Sequence, residues 1–113
     1  MPRIFEMRTY VAHEGKFAAL LDRFRRHTLR LFEKHGMTNL GYWVPQGGES
    51  AEAPDTIVYL LAHPSREAAD RSWAAFRSDP GWVRIRDASE MEGKLVKKIL
   101  TVFLEPTDFS PLQ

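Results

Sequence analysis

Polar and apolar side chains alternate along the first segment of the chain, residues 3–11. This period of two, together with aromatic and β-branched residues, predicts a strand with one face in the core. We expect the core face to carry Phe5, Met7, Thr9 and Val11. The residues expected on the opposite face are Ile4, Glu6, Arg8 and Tyr10.

From Lys16 onward the apolar residues follow helical spacing instead. They recur every three or four positions, at Phe17, Leu20, Leu21, Phe24, Leu31 and Phe32, with Thr28 on the same side. Charged residues fill the positions between them, so the pattern predicts an amphipathic helix of about five turns. Gly36 lies where a glycine commonly ends a helix.

Two more strands follow this helix. Residues 37–46 alternate again, and we expect Asn39 and Trp43 to share one face. A polar loop over residues 46–55 then leads to residues 56–63, a continuous apolar run typical of a central strand.

The second half of the chain contains two shorter helices and a last strand. Ser65 is the predicted N-cap of a helix whose apolar stripe includes Trp73. Asp79 is the predicted N-cap of the next helix, with Pro80 at its first position. The pattern predicts the final strand at residues 96–104.

The resulting order is strand, helix, strand, strand, helix, strand. It predicts a ferredoxin-like βαββαβ sandwich of the α+β class, in which a four-stranded antiparallel sheet carries the helices on one face. We expect residues 1–113 to form a single domain. One face of the sheet is then left without helices.

This helix-free face predicts a partner. Besides the outward residues of the first strand, we expect it to carry Asn39, Trp43, Tyr59, Leu61 and His63. A contiguous exposed apolar patch is uncommon on a monomer. A second copy of the chain is the default cover, since two-fold homodimers are the commonest assemblies, and an unrelated protein is the alternative. RNA is disfavoured, because residues 56–63 lack the aromatic signature of RNA-recognition strands.

Composition excludes several classes of function. The 113 residues (13.0 kDa) contain no cysteine, which excludes disulfides, thiolate-bound zinc and a cysteine nucleophile. Sixteen Lys and Arg residues against fifteen Asp and Glu give a net charge of +1, too balanced to indicate a nucleic-acid partner. The longest apolar run, residues 57–62, is too short to cross a membrane, and no signal-peptide core opens the sequence. We therefore expect a cytoplasmic protein with no membrane partner.

Several short segments resemble one known family. They are Arg-Thr-Tyr at residues 8–10, His-Gly-Met at 35–37, Leu-Gly-Tyr-Trp at 40–43, Ser-Trp-Ala-Ala-Phe-Arg-Ser-Asp-Pro-Gly-Trp at 72–82 and Thr-Asp-Phe-Ser-Pro-Leu at 107–112. Together they extend over nearly the whole chain, which resembles the NIPSNAP family. The resemblance implies a dimeric α/β barrel, in which two ferredoxin-like sheets enclose a cavity. The same superfamily includes cofactor-free monooxygenases, haem-handling enzymes and small-molecule binders.

Three side chains on the outward face of the first strand form the main candidate site. Glu6, Arg8 and Tyr10 follow each other in steps of two residues, about 7 Å apart. Arg8 could hold a substrate carboxylate or enolate, Glu6 could act as a general base, and Tyr10 could donate a proton or hydrogen bond. The alternative is a Glu–Arg pair that satisfies itself inside a dimer interface.

Three other residues extend this candidate site. His63, at the end of a strand, is a second candidate base. Trp43 and Tyr59 either line a ligand cavity or form the core of an interface. The spacing of the four histidines matches no zinc motif, so we expect no metal and no cofactor.

These observations support two hypotheses of function. In the first, a homodimer binds a small organic molecule in a cavity between its two sheets, and could transform it by cofactor-free oxygen chemistry or by proton transfer. In the second, dimerisation consumes the sheet face, and the protein is a non-catalytic scaffold or interaction module. The volume of the cavity separates the two, because ligand pockets generally exceed about 300 Å³.

Overall fold

A computed structural model describes residues 3–48 and 54–113, so the centre of the polar loop predicted at 46–55 lies outside the described residues. The elements are β1 (Ile4–Ala12), α1 (Phe17–Arg23), a π-helical turn (Phe24–Thr28), α2 (Leu29–Lys34), β2 (Thr38–Trp43), β3 (Thr56–His63), α3 (Arg66–Ser78), α4 (Pro80–Ser89) and β4 (Val96–Leu104). The predicted order of strands and helices is confirmed.

The four strands form one antiparallel sheet in the order β2-β3-β1-β4. This is the strand order of the predicted ferredoxin-like fold. The two central strands, β1 and β3, pair along their whole length, from Ile4 opposite His63 to Val11 opposite Thr56. Residues directly opposite each other share a face of an antiparallel sheet.

The first helical segment is continuous but changes its winding in the middle. A π-helical turn joins α1 to α2, and within it the Thr28 hydroxyl donates a hydrogen bond to the Arg23 carbonyl oxygen at 3.2 Å. Gly36 ends the segment with a φ of +84°, while the amide of Met37 reaches back to the Phe32 carbonyl at 3.0 Å. This is the glycine-terminated helix end that the sequence predicts.

Both predicted N-caps of the later helices are confirmed. The Ser65 hydroxyl accepts from the amide of Ala68 at 3.0 Å, and the Asp79 carboxylate accepts from the amide of Gly81 at 2.7 Å. Asp79 also accepts from Lys34 at 2.9 Å and from His35 at 2.7 Å, which ties the start of α4 to the end of α2. Hydrogen bonds from Lys34, His35 and Gly81 hold the pKa of Asp79 well below its usual range.

The faces predicted for the two central strands are reversed. Tyr10 and Tyr59 pack against Phe24 of the first helical segment, with ring centroids 5.7 and 5.3 Å apart, so their face of the sheet lies under the helices. Glu6 and His63 share this face. Glu6 and Arg8 are accommodated there because both find hydrogen-bond partners inside the protein, which offset the cost of burying their charges.

A bulge also changes the expected face of Asn39. The register between β2 and β3 shifts between Asn39 and Gly41, and the Asn39 side chain donates to the Leu29 carbonyl of α2 at 3.1 Å. Beyond the bulge, Trp43 lies opposite Val58 on the helix-free face, as predicted. Its ring lies against Gly41, where any Cβ atom would collide with it.

The helix-free face is more apolar than expected, since the charged residues of β1 point the other way. The apolar residues of this face are Phe5, Met7, Val11, Trp43, Val58, Leu60, Ala62, Leu100, Val102 and Leu104. Several remain open in the single chain, among them Trp43 at 53% and Val102 at 45% exposure. In the described parts of the chain, no helix is both long and apolar enough to cross a bilayer.

Candidate functional site

Arg8 is the centre of a polar network between the sheet and the helices. Its guanidinium donates to the Glu6 carboxylate at 3.0 Å, to the Tyr59 hydroxyl at 2.9 Å and to the Tyr10 hydroxyl at 3.0 Å. A fourth bond reaches the Thr101 hydroxyl on β4 at 3.2 Å. Burial alone would lower the pKa of Arg8, but its contacts with the two tyrosines and Glu6 raise it, so Arg8 stays charged.

Glu6 is a fully buried member of this network and accepts hydrogen bonds from three of its residues. Its side chain is 1% exposed, and one carboxylate oxygen accepts from both His63 Nε2 and Trp73 Nε1 at 2.8 Å. The other oxygen accepts from Arg8. Burial alone would raise the pKa of Glu6, but the hydrogen bonds from His63, Trp73 and Arg8 outweigh it and lower the pKa below its usual value. Glu6 is therefore an ionised carboxylate in the folded protein.

Trp73 contributes a second contact to the same pair. The Arg8 guanidinium carbon lies 4.1 Å from the centroid of the Trp73 ring, close enough for a cation–π interaction. The indole thus binds Glu6 through its N–H group and Arg8 through its face. The two charges are fixed from α3 as well as from the sheet.

His63 leaves one polar atom without a partner. Its Nε2 lies against Glu6, where an N–H group donates to the carboxylate. Among the described residues, no partner contacts the buried Nδ1. The ring lies 6.5 Å from that of Phe103 on β4, so the free nitrogen is enclosed and has no open route to a ligand.

The two tyrosines link the network to a cleft. The Tyr59 hydroxyl donates to that of Tyr10 at 2.9 Å, and Tyr59 itself is fully buried, which raises its pKa well above the usual value. Tyr10 also lies on the wall of a cleft of about 570 Å³ between α4 and β4. The other residues of the wall are Arg23, Trp82, Arg86, Asp87, Glu90, Lys94, Val96 and Ile99.

Ion pairs hold the helical wall of this cleft in place. Arg23 pairs with Glu90 at 3.1 Å and lies over the ring of Trp82, while Arg86 pairs with Asp87 at 3.1 Å. On the far side of Arg23 a second cleft of about 460 Å³ runs between α1 and α4. None of the residues of the Arg8 network lines this second cleft.

Five of the six predicted site residues meet in this network, and one does not. Glu6, Arg8, Tyr10, Tyr59 and His63 are hydrogen-bonded to one another. Trp43 lies on the other face of the sheet. The prediction that these side chains share the helix-free face is wrong, because the five residues of the network lie together on the helix side of the sheet. Their functional roles stay predictions.

Sequence reasoning missed two members of the network. Trp73 lies on the apolar stripe of α3 and is predicted there as core, although its indole N–H needs an acceptor once buried. Thr101 lies in β4, directly opposite Arg8. Its position opposite Arg8 on the neighbouring strand is the feature that could have assigned Thr101 to the network.

Comparison with known proteins identifies the family. The family model named NIPSNAP matches residues 5–111. The chain belongs to the NIPSNAP family. No match is found among curated proteins.

Solved structures agree with this assignment. A NIPSNAP family protein of unknown function from Agrobacterium tumefaciens is 22% identical, with a TM-score of 0.82 over 99% of this chain and 95% of that one. A NIPSNAP domain protein from Burkholderia xenovorans is 21% identical, with a TM-score of 0.78 over 96% and 98% of the two chains. SnoaB, a cofactor-independent oxygenase from Streptomyces nogalater, shares the fold at 13% identity, with a TM-score of 0.62 over 98% and 99%.

Proposed function

We propose that this NIPSNAP protein is a homodimer whose protomers each bind a small organic molecule in the cleft between α4 and β4. One observation supports the ligand site above all others. A permanently charged arginine is held between sheet and helices, 14% exposed, and is bonded to a tyrosine on the wall of a cleft of about 570 Å³. That volume is within the usual range of small-molecule sites, about 300–1,000 Å³.

The proposed ligand site lies within each protomer, whereas the sequence predicts a cavity between the two sheets of a dimer. The polar residues that the sequence assigned to that space lie on the helix side of the sheet. In this proposal the ligand meets Tyr10 from the helix side, once in each protomer, and Arg8 acts on it through its hydrogen bond to Tyr10. The helix-free face is left free to serve dimerisation alone.

The apolar residues of the helix-free face support the homodimer. Trp43, Leu100 and Val102 are at least one-third exposed in the single chain, and no charged side chain of β1 interrupts them. A standard interface buries about 800 Å² per partner, with aromatic residues enriched near its centre. A two-fold copy of the same face supplies a matching apolar surface.

The geometry supports separate roles for the candidate residues. Tyr10 is the residue of the network placed to contact a ligand, and Arg8 acts on it through its hydrogen bond to Tyr10. Glu6 contacts His63, Trp73 and Arg8, so it acts as a positioning residue that holds the guanidinium in place. The base role predicted for Glu6 or His63 remains a hypothesis that requires the enclosed pair to open.

A catalytic form of this function is cofactor-independent oxygenation. SnoaB, described as a cofactor-independent oxygenase, has the same fold. In such a reaction a substrate CH₂ group and O₂ give a C=O group and water, with the substrate supplying all the electrons. Oxygen uptake with quinols and phenols as substrates tests this form directly. A cytoplasmic location likewise remains part of the proposal.

Ligand binding is tested by a thermal-shift screen of quinols, phenols and haem, followed by calorimetry on the hits. A ligand at 100 times its Kd stabilises the protein by about 2.7 kcal/mol. Arg8→Lys should weaken the response, because lysine cannot make the same fork of bonds. Arg25→Ala is the matched control, because Arg25 is 71% exposed on the helix surface. This variant should keep the thermal-shift response of the wild type. No response from the wild type would favour the scaffold hypothesis.

Dimerisation is tested by light scattering of the purified protein at micromolar concentration. The wild type should show twice the chain mass of 13.0 kDa. Val102→Glu should give monomers, because it places a charge on the apolar face. Ala74→Glu adds the same charge on the exposed side of α3 and should leave the dimer intact. A wild-type monomer would overturn the dimer.

A further inference from the structure

We propose that the second cleft, between α1 and α4, binds a small organic phosphate through Arg23 and Arg84. This site is separate from the cleft between α4 and β4 and does not depend on a ligand there. Arg23 lines both clefts, whereas Arg84 lines the second cleft and Arg86 lines the first. The second cleft has a volume of about 460 Å³. That volume is within the usual range of small-molecule sites, about 300–1,000 Å³.

Arg23 is a buried cation with unused hydrogen-bond donors. Its side chain is 8% exposed, and Nη1 donates to the Ser89 hydroxyl and to the Glu90 carboxylate, both at 3.1 Å. Nε and Nη2 have no partner among the described residues. These two nitrogens form one edge of the guanidinium, whose parallel N–H groups can bind two oxygens of an anion. This edge is available to a ligand in a cleft that Arg23 lines.

Arg84 supplies a second cation from the opposite wall of the cleft. It is exposed on α4 and makes no hydrogen bond or ion pair with any residue that the structure describes. Arg86, two residues further along the helix, is instead paired with Asp87 at 3.1 Å. All five N–H groups of Arg84 are therefore unused, and its exposed side chain can turn towards a ligand held by Arg23. The cleft thus has a cation on each of its two helical walls.

His27 adds a third donor to the wall that carries Arg23. The Nη2 atom of Arg30 lies 3.3 Å from His27 Nδ1. Because a guanidinium can only donate, Nδ1 accepts this bond, and the ring proton of His27 lies on Nε2. Within the described parts of the chain, nothing accepts from this Nε2–H group. His27 lies in the π-helical turn, and such turns are frequent at functional sites. Three residues with unused donors therefore line one cleft.

The charges around the cleft favour an anionic ligand. Asp22 also lines the cleft, but its carboxylate forms ion pairs with Arg25 at 3.8 Å and with Arg26 at 3.1 Å. Both of these arginines lie outside the lining of the cleft and offset the charge of Asp22 from there. No described carboxylate pairs with Arg84. A ligand in the cleft therefore meets an excess of positive charge.

The number of donors selects a phosphate over a carboxylate. A phosphate monoester has three terminal oxygens and a charge of about −1.5 to −2 at pH 7, so it can accept from both arginines and His27 at once. A carboxylate has two oxygens, and one guanidinium can satisfy both of them. The remaining residues of the cleft include the small or apolar side chains of Ala19, Ile85 and Ala88. The organic part of the ligand can lie against these side chains.

The test measures the Kd of phenyl phosphate by calorimetry at pH 7, with the full chain. Benzoate has the same ring with a carboxylate, and inorganic phosphate has the anionic group without the ring. We expect phenyl phosphate to bind about tenfold more tightly than benzoate. Inorganic phosphate should compete for the same site with a weaker affinity. Equal affinities for phenyl phosphate and benzoate would overturn the choice of a phosphate.

Two arginines of α4 form a matched pair of variants that locates the site. Arg84→Gln removes a cation from the second cleft and should weaken the binding of phenyl phosphate about tenfold. Arg86→Gln makes the same change on the wall of the first cleft and should alter this Kd by less than about twofold. Circular dichroism checks that both variants are folded. A larger loss in Arg86→Gln than in Arg84→Gln would place the anion in the first cleft and overturn the site.

Three other results would also count against this site. If phenyl phosphate does not bind to the wild type at millimolar concentration, the phosphate site is wrong, and the ligand proposed for the first cleft is unaffected. An unchanged Kd in Arg84→Gln would remove the second cation from the site. Binding to vesicles that contain phosphatidic acid, without binding of phenyl phosphate, would assign the arginines to a membrane surface and overturn the small-molecule site.

Discussion

Replacing Glu6 by glutamine removes the charge at the centre of the network and keeps the shape of the side chain. The carboxylate accepts from three donors, on Arg8, His63 and Trp73. An amide has one oxygen, so its NH₂ group must face either Arg8 or the other two donors. Breaking a buried charge pair from one side costs about 3–5 kcal/mol. We expect about 3 kcal/mol, since His63 can change its tautomer and accept from the amide.

Urea unfolding at one fixed protein concentration measures this loss of stability. For 113 residues the same loss lowers the Tm by roughly 10 °C. Glu14→Gln is the matched control, because Glu14 is exposed in the turn after β1 and should change stability by less than about 0.5 kcal/mol. If Glu6→Gln were no more destabilising than Glu14→Gln, the network would contribute nothing to the fold and the reasoning would fail.

The pH dependence of the same variant gives an independent check. Burial alone would raise the pKa of Glu6, but its hydrogen bonds lower it below the usual 4.5 in the folded protein. Folding thus favours the ionised form of Glu6. The resulting stabilisation of the folded protein is complete above pH 4.5 and is lost as the pH falls through the pKa of Glu6 in the folded state. The stability gap between wild type and Glu6→Gln should therefore narrow in that acid range. A gap that stays constant would contradict the assigned pKa shift.

Three further substitutions test other parts of the fold. Asp79→Asn should lower the Tm at pH 7 and lose this effect in acid, because the lowered pKa of Asp79 means that its stabilisation disappears as the pH falls below the usual 3.8. Gly36→Ala should cost about 1–2 kcal/mol in urea unfolding, since φ is +84° there, and Gly36→Asn should cost less. Tyr59→Phe should cost about 1–3 kcal/mol by leaving Arg8 Nε without an acceptor; an unchanged urea midpoint would contradict that bond.

The sequence predicted the elements well because their signals are local. Helical spacing and the two N-caps, Ser65 and Asp79, depend on neighbours within a few residues, and the structure confirms them. The π-helical turn was not predictable, since it changes a hydrogen-bonding pattern and leaves the apolar stripe intact. The bulge beside Asn39 was missed for a similar reason, because alternation continues on both sides of it.

The faces of the central strands could not be decided locally. Alternation fixes which residues share a face, and it grouped Glu6 with Arg8 and Tyr10 correctly. It does not fix which face meets the helices. That choice depends on Trp73, which is 67 residues away from Glu6 in the sequence and supplies the indole N–H that makes a buried carboxylate tolerable.

The reversed faces connect the two proposals physically. If a second copy covers the helix-free face, both sides of the sheet become interior, and the charged residues of β1 must be buried wherever they point. Glu6 and Arg8 point to the helix side of the sheet, where Trp73 donates a hydrogen bond to Glu6 and Tyr59 accepts one from Arg8. Apolar residues of similar volume often stabilise a core as well as a buried ion pair does. Stability alone therefore does not require Glu6 and Arg8 there, whereas the proposed ligand site, in which Arg8 is bonded to Tyr10 of the cleft wall, does.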